Sequence, residues 1–161
     1  MVGKIITTQQ AINVSEKLHT AGKKIILAGG CFDILHIGHI TFLEKAKNQG
    51  DILFVFVEND ETIKKLKGVN RPINTQKDRA EILANLKMVD FVITLPLVTN
   101  DHAYDELVTL LEPAIMATAF GDPNRSHKER QAKKIGAKVV DVTTQISNQS
   151  TTRLISILNE I

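Results

Sequence analysis

The chain has 161 residues, 43% of them hydrophobic and 24% charged, with a formal net charge of +2 and a single cysteine. That length builds one domain of ordinary size whose core needs neither disulfides nor a structural metal, and so small a charge argues against nucleic acid as a partner. No apolar run approaches the roughly 20 residues of a membrane span, the start "MVGKIITTQQ" lacks an apolar signal core, and the lone Cys31 has no internal disulfide partner, so the expectation is a cytoplasmic protein that binds no membrane.

In chain order, a helical pattern over 8–20 precedes a first buried run, "KIILAG" (24–29). A turn through "GGCFDILHIG" then leads into a helix over 39–49, with Ile40, Leu43 and Ala46 in phase. "ILFVFV" (52–57) follows, then a charged loop "KKLKGVNR", a helix over 75–87 and the run "DFVITL" (90–95). A helix over 103–111, "AIMATA" (114–119), a helix over 125–135 and "KVVDV" (138–142) come next. The last helix, over 152–161, has Leu154, Ile155, Leu158 and Ile161 on one face. Each of the five short runs has the length of a strand buried on both faces, and strands that alternate with helices predict an α/β fold: an open five-stranded parallel sheet with helices on both faces, in a single domain over 1–161.

Ligands of such sheets bind at the carboxyl ends of the strands, beside helix N-termini, which directs attention to the turn after 24–29. Gly29 and Gly30 end that strand and let a phosphate or nucleotide approach the backbone, although their spacing is not that of a dinucleotide fingerprint. Cys31 reads as a small loop or core residue. His36 and His39, three apart at a helix start, can face one side and offer two imidazole donors to phosphoryl oxygens that redistribute charge as phosphorus is attacked. Metal ligation is the rival reading, but no third ligand stands at a recognisable spacing, so no protein metal site is expected.

Lys64, Lys65, Lys67 and Arg71 fall within eight residues just past the second run; such a group is either a solvated charged loop or a clamp on a triphosphate. Arg79 shares the apolar stripe of Ile82, Leu83 and Leu86, and there it either snorkels over the core edge or points a two-pronged guanidinium at phosphate oxygens. Ser150, Thr151 and Thr152 open the last helix, where hydroxyls beside free N–H groups form an N-cap and a ready anion site.

The tetrapeptide His36-Ile37-Gly38-His39 occurs in class I aminoacyl-tRNA synthetases, but this chain is too short for one and has no KMSKS-type loop. "GGCFDILHIGH", "LKGVNRPINTQKDRAEILANLKMVDFVI" and "STTRLI", in this order and spacing, instead resemble the cytidylyltransferase-like branch of the nucleotidyltransferases. Within that branch they are most similar to the adenylyltransferases of heptose 1-phosphate that serve lipopolysaccharide core assembly. The resemblance implies a Rossmann-like sheet and transfer of a nucleoside monophosphate from ATP or CTP to a phosphorylated small molecule, with release of pyrophosphate and with Mg2+ carried by the triphosphate. It implies that His36 and His39 bind phosphates and the transition-state charge, that Lys67 and Arg79 hold the triphosphate and that Thr151 and Thr152 close over it. Gly30, Cys31 and Phe32 would supply backbone contacts to the nucleotide, with Gly29, Asp33, Gly121, Asp122 and Ser150 completing its site, and the active form would be a homodimer.

Three positions differ from the family pattern. Ala119-Phe120-Gly121-Asp122 stands where relatives have Lys-Gly-Gly-Asp, Val57-Glu58-Asn59-Asp60 where they have Val-Asn-x-Asp, and Gln145 where the glycerol-3-phosphate cytidylyltransferases have arginine. Sequence alone therefore leaves three readings: a sugar 1-phosphate adenylyltransferase with heptose as first acceptor, an alcohol-phosphate cytidylyltransferase, and a nucleotide-binding domain without turnover.

Overall fold

The computed structural model of the chain describes residues 3–98, 100–144 and 151–159. Runs of β-branched and aromatic residues form the strands β1 (Ile5–Ile6), β2 (Ile25–Gly30), β3 (Ile52–Val57), β4 (Phe91–Thr94), β5 (Ile115–Ala119) and β6 (Lys138–Thr143). All pair in parallel in one sheet, ordered β1-β4-β3-β2-β5-β6. The five strands expected from the sequence are present, and the expected count is corrected to six by β1. Two residues carry no periodicity to read, and β1 exists because it pairs with β4, where the Val92 N–H donates to Lys4 O at 2.8 Å.

The helices are α1 (Thr8–Thr20), α2 (Ile37–Lys47), α3 (Asp60–Lys67), α4 (Gln76–Ala84), α5 (Asp101–Leu111), α6 (Arg125–Ile135) and α7 (Thr151–Asn159). α3 corrects the charged loop read in the sequence, because Lys64, Lys65 and Lys67 form its last turn rather than a coil. Asn59 caps it by accepting the Glu61 N–H at 2.9 Å. Asp60 and Glu61 in its first turn and the three lysines in its last complement the helix dipole, and Ile63 anchors it in the core.

Strand alternation divides the core in two. Ile26 and Ala28 face Leu43 and Ala46 of α2 and Ala80 and Leu83 of α4. Ile25 and Leu27 face Ala11 of α1, Leu107, Val108 and Leu111 of α5, and Ala132 of α6. The sheet is thus covered on both sides, and its central strand is β2. From β2 the chain builds β3 and β4 on one side and returns to build β5 and β6 on the other, so the carboxyl ends of β2 and β5 border the crevice left where the strand order reverses. Among the described residues no helix is long and apolar enough to cross a membrane.

Candidate active site

A cavity of about 850 Å³ fills that crevice. Its wall takes Gly29, Gly30, Cys31 and Phe32 from the end of β2, His36, Gly38 and His39 from the start of α2, and Glu58, Thr62, Leu66 and Lys67 from the β3–α3 segment. The far side is formed by Phe120, Gly121 and Asp122 after β5, Lys128 of α6 and Thr152 of α7.

The glycines at the end of β2 have identifiable work. A Cβ on Gly30 would stand 3.1 Å from Phe32 Cε2, and one on Gly29 would stand 3.3 Å from the Tyr104 hydroxyl. Phe32 adopts φ 48°, in the left-handed region that bulky residues avoid. That turn places its buried ring edge-on to His39, with ring centroids 5.3 Å apart. Gly121 makes the corresponding turn on the far side, at φ 80°.

His36 is the N-cap of α2, and its Nδ1 accepts the Gly38 N–H at 3.1 Å. The proton of the neutral ring is therefore on Nε2, leaving one N–H donor at a helix N-terminus. The His36 and His39 rings lie 3.9 Å apart, tilted by 31°. Burial lowers the pKa of His36. Burial, with His36 and Lys67 nearby, pushes His39 down to about 4, so both imidazoles are neutral at pH 7. His39 Nδ1 is buried with no hydrogen-bond partner among the described residues. Burial pushes the Cys31 thiol up, with Lys67 opposing it, so this cysteine stays protonated.

Two residues expected to touch the nucleotide are placed elsewhere. Arg79 neither snorkels nor enters the cavity. Its side chain is fully buried, with Nε donating to Asn74 O (3.1 Å), Nη1 to Cys31 O (2.6 Å), and Nη2 to Glu58 O (2.7 Å) and Asp60 Oδ1 (2.6 Å). Backbone carbonyls that converge at the strand ends take up the fork that the sequence offered to phosphate. Asp33 is likewise turned into the protein, pairing with Arg71 Nε at 2.6 Å and accepting the N–H groups of Ile73 and Asn74. Burial alone would raise its pKa, but these donors outweigh that and hold the carboxyl below its ordinary value. Arg71 is thereby accounted for as well.

Asp122 lines the cavity, but its carboxylate is engaged. Lys128 Nζ and Thr118 Oγ1 each donate to Oδ2 at 2.6 Å, and the Asn124 N–H donates to Oδ1 at 2.8 Å. Against the opposing effect of burial these bonds keep it ionised. Ser150 and Gln145 lie outside the described residues, as does the side chain of Thr151.

The cytidylyltransferase-like family model matches residues 27–157, a span that includes every cavity residue named so far. The chain belongs to that family of nucleotidyltransferases. Among its relatives, the bifunctional protein HldE of a Nitratiruptor species is 42% identical over 142 residues, 88% of this chain and 29% of that protein. HldE of Desulfatibacillum aliphaticivorans is 36% identical over 154 residues, 94% of this chain and 30% of that protein. The chain thus spans less than a third of the length of these curated relatives. The crystal structure of the lipopolysaccharide core biosynthesis protein from Thermoplasma volcanium GSS1 is 28% identical, with a TM-score of 0.61 over 80% of this chain and all of that one. The pantoate–beta-alanine ligase of Francisella tularensis, solved in complex with beta-gamma ATP and beta-alanine, has a TM-score of 0.66 at 18% identity over 99% of this chain and 77% of that one, a likeness of fold.

Residues of this family member that sequence reasoning passed over are Tyr104, Lys128 and Gln131, all on the cavity wall. Lys128 stands in the first turn of its helix, and its pairing with Asp122 had no signal in spacing. Tyr104 is on α5 and reaches the site from the opposite face of the sheet. Its aromatic character in an otherwise polar helix start was the one available clue.

Proposed function

We propose that the chain transfers a nucleoside monophosphate from a nucleoside triphosphate to a phosphorylated small molecule, with ATP as donor and a sugar 1-phosphate, heptose first, as acceptor. The observation that carries the transfer chemistry is the single tautomer of His36, fixed by the Gly38 N–H at the N-terminus of α2 on the cavity wall. An acceptor phosphate oxygen attacks the α-phosphorus, a new P–O bond forms, and the bond to the bridging oxygen breaks so that pyrophosphate leaves with its electron pair. Charge gathers on the α-phosphoryl and bridging oxygens. The His36 Nε2–H, the free N–H groups of α2 and the Lys67 ammonium meet that charge with donors already in place. His39, neutral and stacked against His36 with ring centroids 3.9 Å apart, holds the His36 ring in place. Thr152 would contact the triphosphate from the opposite wall.

Magnesium, when bound with the triphosphate, neutralises phosphate charge. The donor set suits a metal held mainly by phosphate oxygens, since the described residues contain no cluster of three or more His, Cys, Asp or Glu side chains. Of the carboxylates on the wall, Asp122 is already engaged by Lys128 and Thr118.

ATP and a sugar 1-phosphate are favoured by the "LKGVNRPIN" resemblance and by relatives that include a lipopolysaccharide core biosynthesis protein. One feature favours a smaller acceptor with CTP: Phe120, 66% exposed, occupies the cavity rim where relatives have glycine. A pyrophosphate-release screen of ATP, CTP, GTP, UTP and dTTP against heptose 1-phosphate, hexose 1-phosphates and glycerol 3-phosphate decides between them. Turnover only with CTP and glycerol 3-phosphate overturns the acceptor and donor named here, and no turnover with any pair overturns the transfer itself.

A further inference from the structure

The cavity has two chemically distinct ends. Around α2 it offers donors: His36, the helix N–H groups and Lys67. At its floor, beside the ends of β2 and β3, stand two polar groups with no part in the transfer chemistry, Glu58 and Tyr104. The Tyr104 ring is wedged edge-on against Phe56, with centroids 5.5 Å apart, and its hydroxyl lies beside Gly29. That hydroxyl has no hydrogen-bond partner among the described residues. Glu58 follows β3 directly, its backbone fixed by its N–H to Gly30 O (3.3 Å) and by Arg79 on its own carbonyl. Its carboxyl is left without a hydrogen bond or ion pair among the described residues. Burial raises the pKa of both groups, and the Glu58 charge further raises Tyr104, which stays a neutral O–H donor.

We propose that Glu58 and Tyr104 form a hydroxyl-reading subsite for the acceptor, in which Glu58 accepts a hydrogen bond from an acceptor hydroxyl and Tyr104 donates one to it. A phenol O–H and a carboxyl, both unpartnered and both on one cavity floor, ask for a group that gives and takes hydrogen bonds at once, and an alcohol does both. An ammonium group has donors only and leaves the phenol proton without an acceptor. The placement also suits the division of the cavity. Gly121 and Thr152, on the β5 and α7 side, lie across the crevice from Glu58, so a triphosphate spanning from Lys67 to Thr152 leaves the floor at Glu58 and Tyr104 to the acceptor. The inference rests on the transfer reading and deepens it by naming what selects the acceptor: a polyhydroxylated phosphate ester, held at its hydroxyls by residues remote from the phosphate. Buried polar groups built around a hydroxyl discriminate strongly against analogues that lack it, because those groups are then left unpaired.

The test is steady-state pyrophosphate release by the full chain and by its Tyr104→Phe and Glu58→Ala variants, with thermal melting as the folding control. Acceptors are hexose and heptose 1-phosphates, glycerol 3-phosphate, phosphoethanolamine and ethyl phosphate. The expected result is preference for a polyhydroxylated acceptor, a rise in its KM of about tenfold in each variant, and an unchanged KM for the triphosphate. Tyr104→Phe is nearly isosteric, so it reads the hydroxyl even if Glu58→Ala melts early. Normal acceptor KM in Tyr104→Phe, with turnover of a sugar phosphate intact, overturns the subsite and leaves the transfer reading standing. A triphosphate KM that rises instead assigns these groups to the nucleotide and also overturns it. Preference for phosphoethanolamine or ethyl phosphate, or no turnover with any hydroxylated acceptor, ends the proposal as well, the last case together with the transfer reading.

Discussion

Arg79→Lys keeps the charge and removes the fork. The guanidinium makes four hydrogen bonds through three nitrogens, to Asn74 O, Cys31 O, Glu58 O and Asp60 Oδ1, and none of its surface is exposed. A lysine ammonium is a single nitrogen on an unbranched stem, so it cannot reach both Asn74 O on one flank and the Glu58 and Asp60 oxygens on the other. At least two acceptors then lose a donor that is itself fully buried, at about 1–3 kcal/mol for each acceptor left unsatisfied. A total of about 3 kcal/mol is a substantial share of the roughly 5–15 kcal/mol that holds an ordinary domain together. For a chain of this size it corresponds to a fall of roughly 6–12 °C in Tm. Calorimetry or a urea titration reads the stability, and a binding titration with ATP, well below both melting points, reads the site. The expected outcome is a large loss of Tm with ATP affinity changed by less than about threefold, since no donor to phosphate has been removed. An unchanged Tm with ATP affinity lowered tenfold or more would refute the reasoning and return the guanidinium to the phosphates.

His36→Ala is expected to lower kcat by on the order of 100-fold or more while leaving the triphosphate KM nearly unchanged, because a donor that acts mainly in the transition state affects rate; equal losses in kcat and affinity would count against it. Asp33→Ala strands Arg71 and removes the acceptor of the Ile73 and Asn74 N–H groups, so the urea midpoint should fall by the equivalent of about 3–5 kcal/mol. His39 titrates at about 4 in the fold and near 6.5 when unfolded. Its neutral form therefore contributes stability that is complete above about 6.5 and is lost as pH falls through 4. Melting curves of His39→Gln should accordingly lose less between pH 7 and pH 4.5 than those of the unmodified chain. Phe120→Ala should leave Tm almost unmoved, as expected of an exposed ring, while the ratio of kcat/KM for heptose 1-phosphate over glycerol 3-phosphate rises.

The parallel sheet and the place of the site were legible because both are written in local patterns: aliphatic runs of strand length, and glycines and histidines bunched where a central strand meets a helix. What escaped was settled by partners distant in sequence. β1 is two residues held by β4. α3 has only Ile63 buried, so its lysines outweighed its one core residue in a reading by charge. The apolar register of Arg79 suggested a snorkelling side chain or a phosphate ligand and it is neither, because its fork is taken up where Cys31, Glu58 and Asn74 come together. Glu58 was visible only as a departure from a pattern, and Tyr104 only as an aromatic in a polar helix start, because its hydroxyl reaches the cavity through the gap left by Gly29.

The bonds made by Asp33 and Arg79 have a consequence for how acceptor preference can change. Between them they tie the turn after β2 to the segment 71–74 and to the end of β3, with Asn74 Nδ2 adding a bond to Asp33 O at 2.6 Å. Arg71, Asn74 and Arg79, three polar positions of the stretch that gives this chain much of its family likeness, therefore hold the frame of the crevice rather than its occupant. Glu58 hangs from that frame by its backbone, while Phe120, after β5, is held separately by its N–H to Thr143 O at 2.9 Å and presents an exposed ring. On the acceptor reading proposed above, those two side chains can change, and with them the acceptor preference, while the phosphate-facing residues stay in register. On that same reading, the exposed Phe120 is the position at which an engineer could recast the pocket with least effect on the melting temperature.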